Sequence, residues 1–348
     1  MCYHLTSSNI KEYSLGKFMH ANSRMEWIDS LKAIAIFWIY LGHFGDNAKQ
    51  LYPFVFSFHV PLFFFISGIF FKKCSSLSDL LSITIKSFKR IVIPYFAFSI
   101  ISLIFFSLYN NYDYDHVKVL ASQILPGIRN QIFAASLWFL PCLFVMIIIH
   151  SFIQLMLKNK HAVFALCVAI FFAASVMKIG FKPNLFFNVD SALRYIVYYA
   201  FGAYLSVYIK DHNAYTHNIT IKTTIYIVSI LSILLFTYVY FFGASSVYGE
   251  LKSEYLKILG SFIVTVMLFI PNILIAMRIK IRQIILIGQS TLVLCGTEQM
   301  IKTFIYSFFK MFGLKIYLHN PVDTIAYTIL CLFISYFTTI KIYRMMKR

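Results

Sequence analysis

Apolar runs long enough to cross a membrane follow one another along almost the whole chain. A bilayer core about 30 Å thick needs roughly 20 apolar residues per helical span. Charged residues make up only 13% of the sequence and hydrophobic residues 60%, whereas a soluble domain is about 25% charged. The sequence therefore predicts an all-α fold, a polytopic transmembrane helix bundle. The predicted spans, about ten in all, lie at 27–45, 52–71, 91–109, 136–157, 162–179, 192–209, 223–242, 256–277, 284–308 and 322–340.

The distribution of lysine and arginine predicts the orientation of these spans. An even number of spans places both termini on one side of the membrane, and cytoplasmic loops carry an excess of Lys and Arg. When the N-terminus is placed in the cytoplasm, the larger share of the 31 cationic residues falls on the cytoplasmic side. We therefore expect both termini to be cytoplasmic. The net charge of +18 then reflects topology and attraction to anionic lipids, and no nucleic-acid partner is expected.

The first two dozen residues differ from the rest of the chain. They are polar and mixed and contain no apolar core of a secretory signal, and Met25 opens a new segment directly before the first span. We expect residues 1–24 to be a dispensable cytoplasmic extension or a misassigned start, and residues 25–348 to form a single transmembrane domain. The six cysteines lack the spacing of a metal or redox site, so no metal cofactor is expected.

Three ionisable residues of the first span indicate a functional site, because such residues are costly inside a membrane. Asp29 lies one helical turn before Lys32, and His43 lies eleven residues, about three turns, after Lys32. The three side chains should therefore share one stripe that faces protein or water. At about 1.5 Å per residue, Lys32 and His43 are separated by roughly 16 Å along the helix, with Lys32 near the cytoplasmic end and His43 towards the outer end.

A second histidine follows after a short loop. His59 begins the second span, so an antiparallel hairpin would bring it close to His43 and suggests a proton-handling site. For His59, packing with one satisfied hydrogen bond is an equally good interpretation, and Pro61 could equally produce a local kink. For His43, capping into the interface is the alternative, but the neighbouring Gly42 would let another group approach closely.

Several motifs appear in a fixed order. Ten residues separate Lys32 from His43; residues 58–68 read FHVPLFFFISG; residues 89–95 read KRIVIPY; and residues 137–140 read LWFL. In these motifs the chain resembles acyltransferase family 3, the polytopic bacterial O-acyltransferases that modify surface and exported carbohydrates, especially its fucose 4-O-acetylase-like branch. The resemblance covers residues from about 25 to 340.

The resemblance implies a membrane-bound O-acetyltransferase of the bacterial inner (cytoplasmic) membrane. It would move an acetyl group from cytoplasmic acetyl-CoA to a hydroxyl of a lipid-linked or polymeric carbohydrate, with glycan assembly proteins as further partners. Lys32 would bind the anionic coenzyme, and His43 would act as a general base or as a nucleophile. His59 would orient His43 or bind the acceptor, and Asp29 would pair with Lys32 so that neither charge is buried alone.

Other candidate residues carry weaker signals. Lys89 and Arg90, together with Lys72 and Lys73, are further candidates for the coenzyme site, although topology alone explains loop cations. Trp138 and Glu298 are candidates for contact with the substrate. Tyrosine and tryptophan also gather at membrane interfaces, and this explanation is favoured for Trp138 and for Tyr95, Tyr195, Tyr198 and Tyr199.

Two residues depart from the family pattern. Lys32 stands where many relatives have arginine, which keeps the charge but loses the bidentate fork for phosphate. Residues 288–298 resemble a family segment that often ends in histidine, so Glu298 stands where histidine is expected. These departures keep a catalytically inactive assembly partner as an alternative. A transporter or flippase, in which Asp29, Lys32, His43 and Glu298 form an ionisable pathway, is another. The identity of the acyl group, the acceptor hydroxyl and the oligomeric state stay open.

Overall fold

A computed structural model describes residues 25–210, 219–314, 316, 318 and 320–341. Within these residues all regular secondary structure is helical, which confirms the predicted all-α bundle; residues 1–24 lie outside the described part. The α-helices are α1 (Glu26–Gly42), α2 (Leu51–Phe56), α3 (His59–Ile69), α4 (Leu77–Ser87), α5 (Ile93–Asn110), α6 (Tyr114–Ile124), α7 (Phe139–Leu157), α8 (Lys160–Val176), α9 (Val189–Lys210), α10 (Ile219–Phe242), α11 (Ser245–Tyr248), α12 (Glu254–Arg278), α13 (Arg282–Gln289), α14 (Thr291–Met311) and α15 (Pro321–Ser335).

Every predicted apolar run is helical, but the helices differ in their capacity to cross a membrane. Among the described residues, six helical segments are long and apolar enough to do so, one of them formed by α2 and α3 together, and a seventh is added if α13 and α14 count as one bent span. Helix α8 is apolar but shorter. The protein is thus an all-α membrane bundle, and the number of ten crossings stays a prediction. The six segments are Leu51–Ile69, Leu77–Asn110, Phe139–Leu157, Lys222–Phe242, Glu254–Arg278 and Pro321–Ile340.

Glycines bring the central helices into backbone contact. A Cβ atom on Gly68 of α3 would overlap the carbonyl oxygen of Tyr199 on α9, and one on Gly202 of α9 would overlap the carbonyl oxygen of Phe65. Small residues at such crossings let membrane helices pack closely, because in lipid packing contributes more than the hydrophobic effect does. The crossing holds α3, which begins with His59, firmly inside the bundle.

The ninth predicted span, 284–308, is wrong as a single helix. Helices α13 and α14 are bent by 88° at Ser290. A Cβ atom on Gly288 would overlap the carbonyl oxygen of Asp29, so the glycine lets α13 lie directly against the start of α1. Helix α14 then runs along the other end of α1. The bend lies two residues after this close contact, which a pattern of apolar residues does not reveal.

The described cysteines are small buried side chains. All five are free, and none is exposed at the surface of the bundle. Burial is the usual state of a cysteine that serves as a small hydrophobe. These residues are Cys74, Cys142, Cys167, Cys295 and Cys331, and Cys2 lies outside the described residues.

Candidate active site

The polar stripe of α1 faces the bent pair α13 and α14. At its start, the side-chain amide of Gln289 on α13 donates a hydrogen bond to Asp29 Oδ2 at 3.2 Å. At its end, His43 contacts Glu298 on α14. The predicted stripe therefore lies against protein, as the cost of an ionisable group in lipid requires.

Glu298 binds two partners at the C-terminal end of α1. His43 Nδ1 lies 2.8 Å from both carboxylate oxygens of Glu298, and Lys302 Nζ lies 2.6 Å from Oε1. The Glu298 side chain is fully buried, whereas those of His43 and Lys302 are 18% and 13% exposed. A buried carboxylate is tolerated when charged and hydrogen-bonding partners surround it, and here one partner is the candidate catalytic histidine.

Lys302, the second partner of Glu298, is itself held in place. Its Nζ donates to the carbonyl oxygen of Tyr40 at 2.7 Å and lies 4.1 Å from the centroid of the Phe44 ring, which is a cation–π distance. The Tyr327 hydroxyl donates to the carbonyl oxygen of Lys302 at 2.8 Å. The lysine, Glu298 and His43 therefore form one fixed cluster that joins α1, α14 and α15.

This contact determines which nitrogen of His43 carries hydrogen. An ionised carboxylate only accepts hydrogen bonds, so with Glu298 ionised Nδ1 must carry the hydrogen and donate it. In neutral imidazole the other nitrogen, Nε2, is then the acceptor. An imidazole held by a carboxylate in this way is oriented for proton transfer through its second nitrogen. His43 thus has the geometry of a general base or a nucleophile.

His59 is fixed in a similar way by the backbone. Its Nδ1 lies 2.8 Å from the carbonyl oxygen of Val55 and donates to it, which again leaves Nε2 as the acceptor. The residue is buried. Its Nε2 lies 3.8 Å from the place a Cβ on Gly42 would occupy, so the glycine lets the second histidine sit beside the end of α1, as expected from the sequence.

Both histidines line one large cavity of about 1040 Å³. Pockets that bind small molecules usually measure about 300–1,000 Å³, so this cavity has room for a ligand at the upper end of that range. Trp138, a predicted substrate contact, also lines it. Glu298 does not line the cavity, because it lies behind His43. Its predicted direct contact with a substrate in the cavity is therefore blocked by the cavity wall.

The cavity also contains residues that sequence reasoning missed. Arg129 and Arg194 line it together with Lys178. In the sequence these three are isolated cations in or near loops on the predicted outer side, and that position alone gave no signal of a site. Of the predicted aromatic candidates, Tyr195 and Tyr198 line the cavity as well, whereas Tyr95 and Tyr199 are buried in the core.

Asp29 and Lys32 lie at the other end of α1. Lys32 Nζ is 3.3 Å from Asp29 Oδ1, which confirms the predicted pairing of the two charges, and it lies 4.6 Å from the centroid of the Phe70 ring. Neither residue lines the cavity that contains His43. A direct catalytic role of Asp29 at His43 therefore has no support in the geometry, and its role stays a prediction.

The loop cations proposed for the coenzyme are exposed. Lys89 and Arg90 lie in the π-helical turn Phe88–Val92 that joins α4 to α5, and Lys72 and Lys73 precede α4. Single π-helical turns inside α-helices often mark functional positions. Nothing in the geometry ties these four side chains to the cavity. As for metals, no group of three or more His, Cys, Asp or Glu side chains among the described residues could hold an ion.

Comparison with known proteins identifies the family. The family model of acyltransferase family 3, described as an acyltransferase domain, matches residues 25–340. The chain belongs to acyltransferase family 3. No curated protein and no solved structure matches it. As a member of this family the protein is a multi-pass membrane acyltransferase, and the matched region contains both histidines and the bent pair α13 and α14.

Proposed function

We propose that this acyltransferase moves an acetyl group from cytoplasmic acetyl-CoA to a hydroxyl of a surface or exported carbohydrate. The cluster of His43 and Glu298 at the cavity wall carries the proposal, because it supplies an oriented nitrogen base where a ligand has room to bind. The acceptor is a lipid-linked or polymeric glycan, and the protein works in the bacterial inner membrane. The proposal of acetyl as the group transferred rests on the resemblance of the sequence motifs to the fucose 4-O-acetylase-like branch of the family.

The chemistry needs a base because a sugar hydroxyl is a weak nucleophile at neutral pH. His43 Nε2 takes the hydroxyl proton while the hydroxyl oxygen attacks the thioester carbon. The carbon–sulfur bond then breaks, and the coenzyme thiolate takes the proton back from His43. Glu298 stabilises the imidazolium that forms in between. A route in which Nε2 first accepts the acetyl group and then passes it to the sugar uses the same geometry.

The donor is proposed to bind at the other end of α1. Lys32, with Lys89 and Arg90 as further contacts, would hold phosphate groups of the coenzyme through charge-assisted hydrogen bonds. The rise of an α-helix places Lys32 and His43 about 16 Å apart, so the flexible thioester arm of the coenzyme would lie along α1. Asp29 would then compete with phosphate for Lys32 and keep the lysine in place when the site is empty.

One observation favours a second candidate, movement of a glycan or small solute across the membrane. Transporters often use broken helices near the middle of the bilayer, and α13 and α14 form a broken helix. In transporters built from repeats, such breaks occur in matching pairs. Family membership favours acyl transfer, and the two functions differ in what they consume, a thioester or an ion gradient.

The decisive experiment follows the radiolabelled acetyl group of acetyl-CoA with purified protein in nanodiscs. We expect wild type to consume the thioester and His43→Ala to lower the rate by about 10²- to 10⁴-fold, the usual contribution of a general base. Lys32→Ala should raise the KM for acetyl-CoA by about tenfold, which corresponds to about 1.4 kcal/mol of lost binding.

The matched control is His116→Ala, which removes an exposed histidine outside the cavity. Folded protein that does not bind acetyl-CoA would contradict the proposal and favour the transporter.

A further inference from the structure

The cavity that contains His43 carries an excess of positive charge. Arg129, Arg194 and Lys178 line it, and Glu254 is the one carboxylate among its lining residues. Glu254 already pairs with Lys257 at 2.9 Å. Among the described residues, none of the three lining cations forms an ion pair. The cavity therefore offers three cations to a ligand, and its one lining carboxylate is paired with a different lysine.

Arg129 is held rigidly in the cavity wall. Its Nη1 donates to the Tyr195 hydroxyl at 3.2 Å and its Nη2 to the carbonyl oxygen of Gly180 at 2.5 Å. The guanidinium carbon lies 5.2 Å from the centroid of the Trp138 ring. The Nε atom is buried and has no hydrogen-bond partner within the described part of the chain. The cation of Arg129 is therefore held rigidly next to the predicted substrate contact, Trp138.

Arg194 is placed by stacking rather than by a counter-ion. Its guanidinium carbon lies 3.6 Å from the centroid of the Phe181 ring. The neighbouring carboxylate on the same helix, Asp190, is engaged elsewhere: its oxygens accept hydrogen bonds from the backbone N–H groups of Asn184, Leu185 and Ser191. A guanidinium that lies over an aromatic ring makes no hydrogen bond to that ring, so its N–H groups are available for a carboxylate or a phosphate.

We infer that the acceptor of this enzyme is an acidic carbohydrate, one that carries a carboxylate or phosphate group bound by Arg194 and Arg129 while its hydroxyl faces His43. The inference rests on the proposed acyl transfer and adds the chemical class of its acceptor. Arginine recognises carboxylate and phosphate bidentately, and a half-buried cation without a counter-ion is costly in a membrane protein. A neutral sugar would leave both guanidinium groups without a charged partner.

Phosphate of a membrane lipid is another source of the same chemistry. Cations near the membrane surface attract anionic headgroups. The position of both arginines in the wall of the cavity that also contains His43 and His59 favours the acceptor over a lipid, because a headgroup there would occupy the space next to the catalytic nitrogen.

The test measures probe binding to the full-length protein in phosphatidylcholine nanodiscs. The probes are methyl glucoside, methyl glucuronide and glucose 1-phosphate, which differ mainly in charge. We expect the two charged probes to bind at least about tenfold more tightly than the glucoside, and Arg194→Gln to remove about tenfold of that affinity without changing glucoside binding. Arg194→Lys should recover part of it, because the charge is kept and the fork is lost.

Lys252→Gln is the matched control, since it removes an exposed cation that does not line the cavity; it should change none of the three affinities. Equal binding of neutral and charged probes to wild type, or an equal loss of all three in Arg194→Gln, overturns the inference. If nanodiscs of phosphatidylglycerol abolish binding of the charged probes, the arginines hold a lipid and the inference also fails. Binding needs no thioester, so charge-selective binding without acetyl-CoA turnover would overturn the proposed function alone.

Discussion

Both ends of α1 hold a carboxylate against a basic side chain, but their surroundings differ. At the C-terminal end, Glu298 comes from α14 and binds His43 and Lys302, and His43 lines a cavity of about 1040 Å³. At the N-terminal end, Asp29 belongs to α1 itself and binds Lys32 and Gln289 away from that cavity. The same electrostatic pairing thus orients the candidate catalytic histidine at one end and anchors two helices at the other.

The difference is sharpest for the carboxylate of Glu298. We expect Glu298→Gln to lower the turnover number by about 100-fold or more with little change in the KM for acetyl-CoA, because the amide no longer fixes the tautomer of His43 or stabilises its cation. Thioester turnover at several acetyl-CoA concentrations measures both constants. Glu250→Gln, an exposed acid outside the cavity, should behave as wild type. A higher KM at an unchanged turnover number would show that Glu298 serves substrate binding instead.

The two ends of α1 also differ in how tightly a glycine is packed there, which affects stability. Gly288→Ala places a methyl group against the carbonyl oxygen of Asp29, and overpacking of this kind costs about 1–3 kcal/mol, more than the roughly 0.5–1 kcal/mol that alanine contributes to helix stability over glycine. We expect a clearly lower melting temperature in detergent. Gly42→Ala at the other end meets the side chains of Phe56 and Val55 at 3.3 Å, which can shift, so its effect should be smaller. Equal melting temperatures for the two variants would contradict the packing argument.

The smallest effect is expected at Asp29. Its partner Lys32 is 24% exposed, and partly exposed ion pairs contribute about 0–1 kcal/mol. Asp29→Asn should therefore leave the turnover number within about fivefold of wild type, with any loss confined to the KM for acetyl-CoA. The same thioester assay measures it. A loss as large as that of His43→Ala would instead support the direct catalytic role predicted from the sequence and make the two ends of α1 equivalent.

Much of the fold followed from local patterns. Each apolar run became helical, because segments of that length and composition satisfy their backbone hydrogen bonds internally. The pairing of Asp29 with Lys32 followed from helical spacing, and the proximity of His59 to the end of α1 followed from the short connection between consecutive spans. These features depend on residues close together in the sequence, so a single chain is enough to predict them.

The rest depends on contacts between distant segments. His43 and Glu298 are 255 residues apart, and no pattern in either helix indicates that they touch. The 88° bend between α13 and α14 lies two residues after the contact of Gly288 with α1, whereas the apolar residues of this segment suggest a continuous span. Arg129 and Arg194 likewise resemble ordinary loop and helix-end cations until the loops are folded around the cavity.

The burial of the cysteines makes the chain suitable for chemical labelling. All five described cysteines lie inside the bundle, so maleimides that cannot cross a bilayer should leave them unmodified in intact cells. Lys252 and Lys73 are both exposed. In a protein in which Cys2 is changed to serine and one of these lysines to cysteine, the introduced cysteine would be the main reactive thiol. Modification from outside at position 252 and protection at position 73 would establish on which side of the membrane each of these two positions lies.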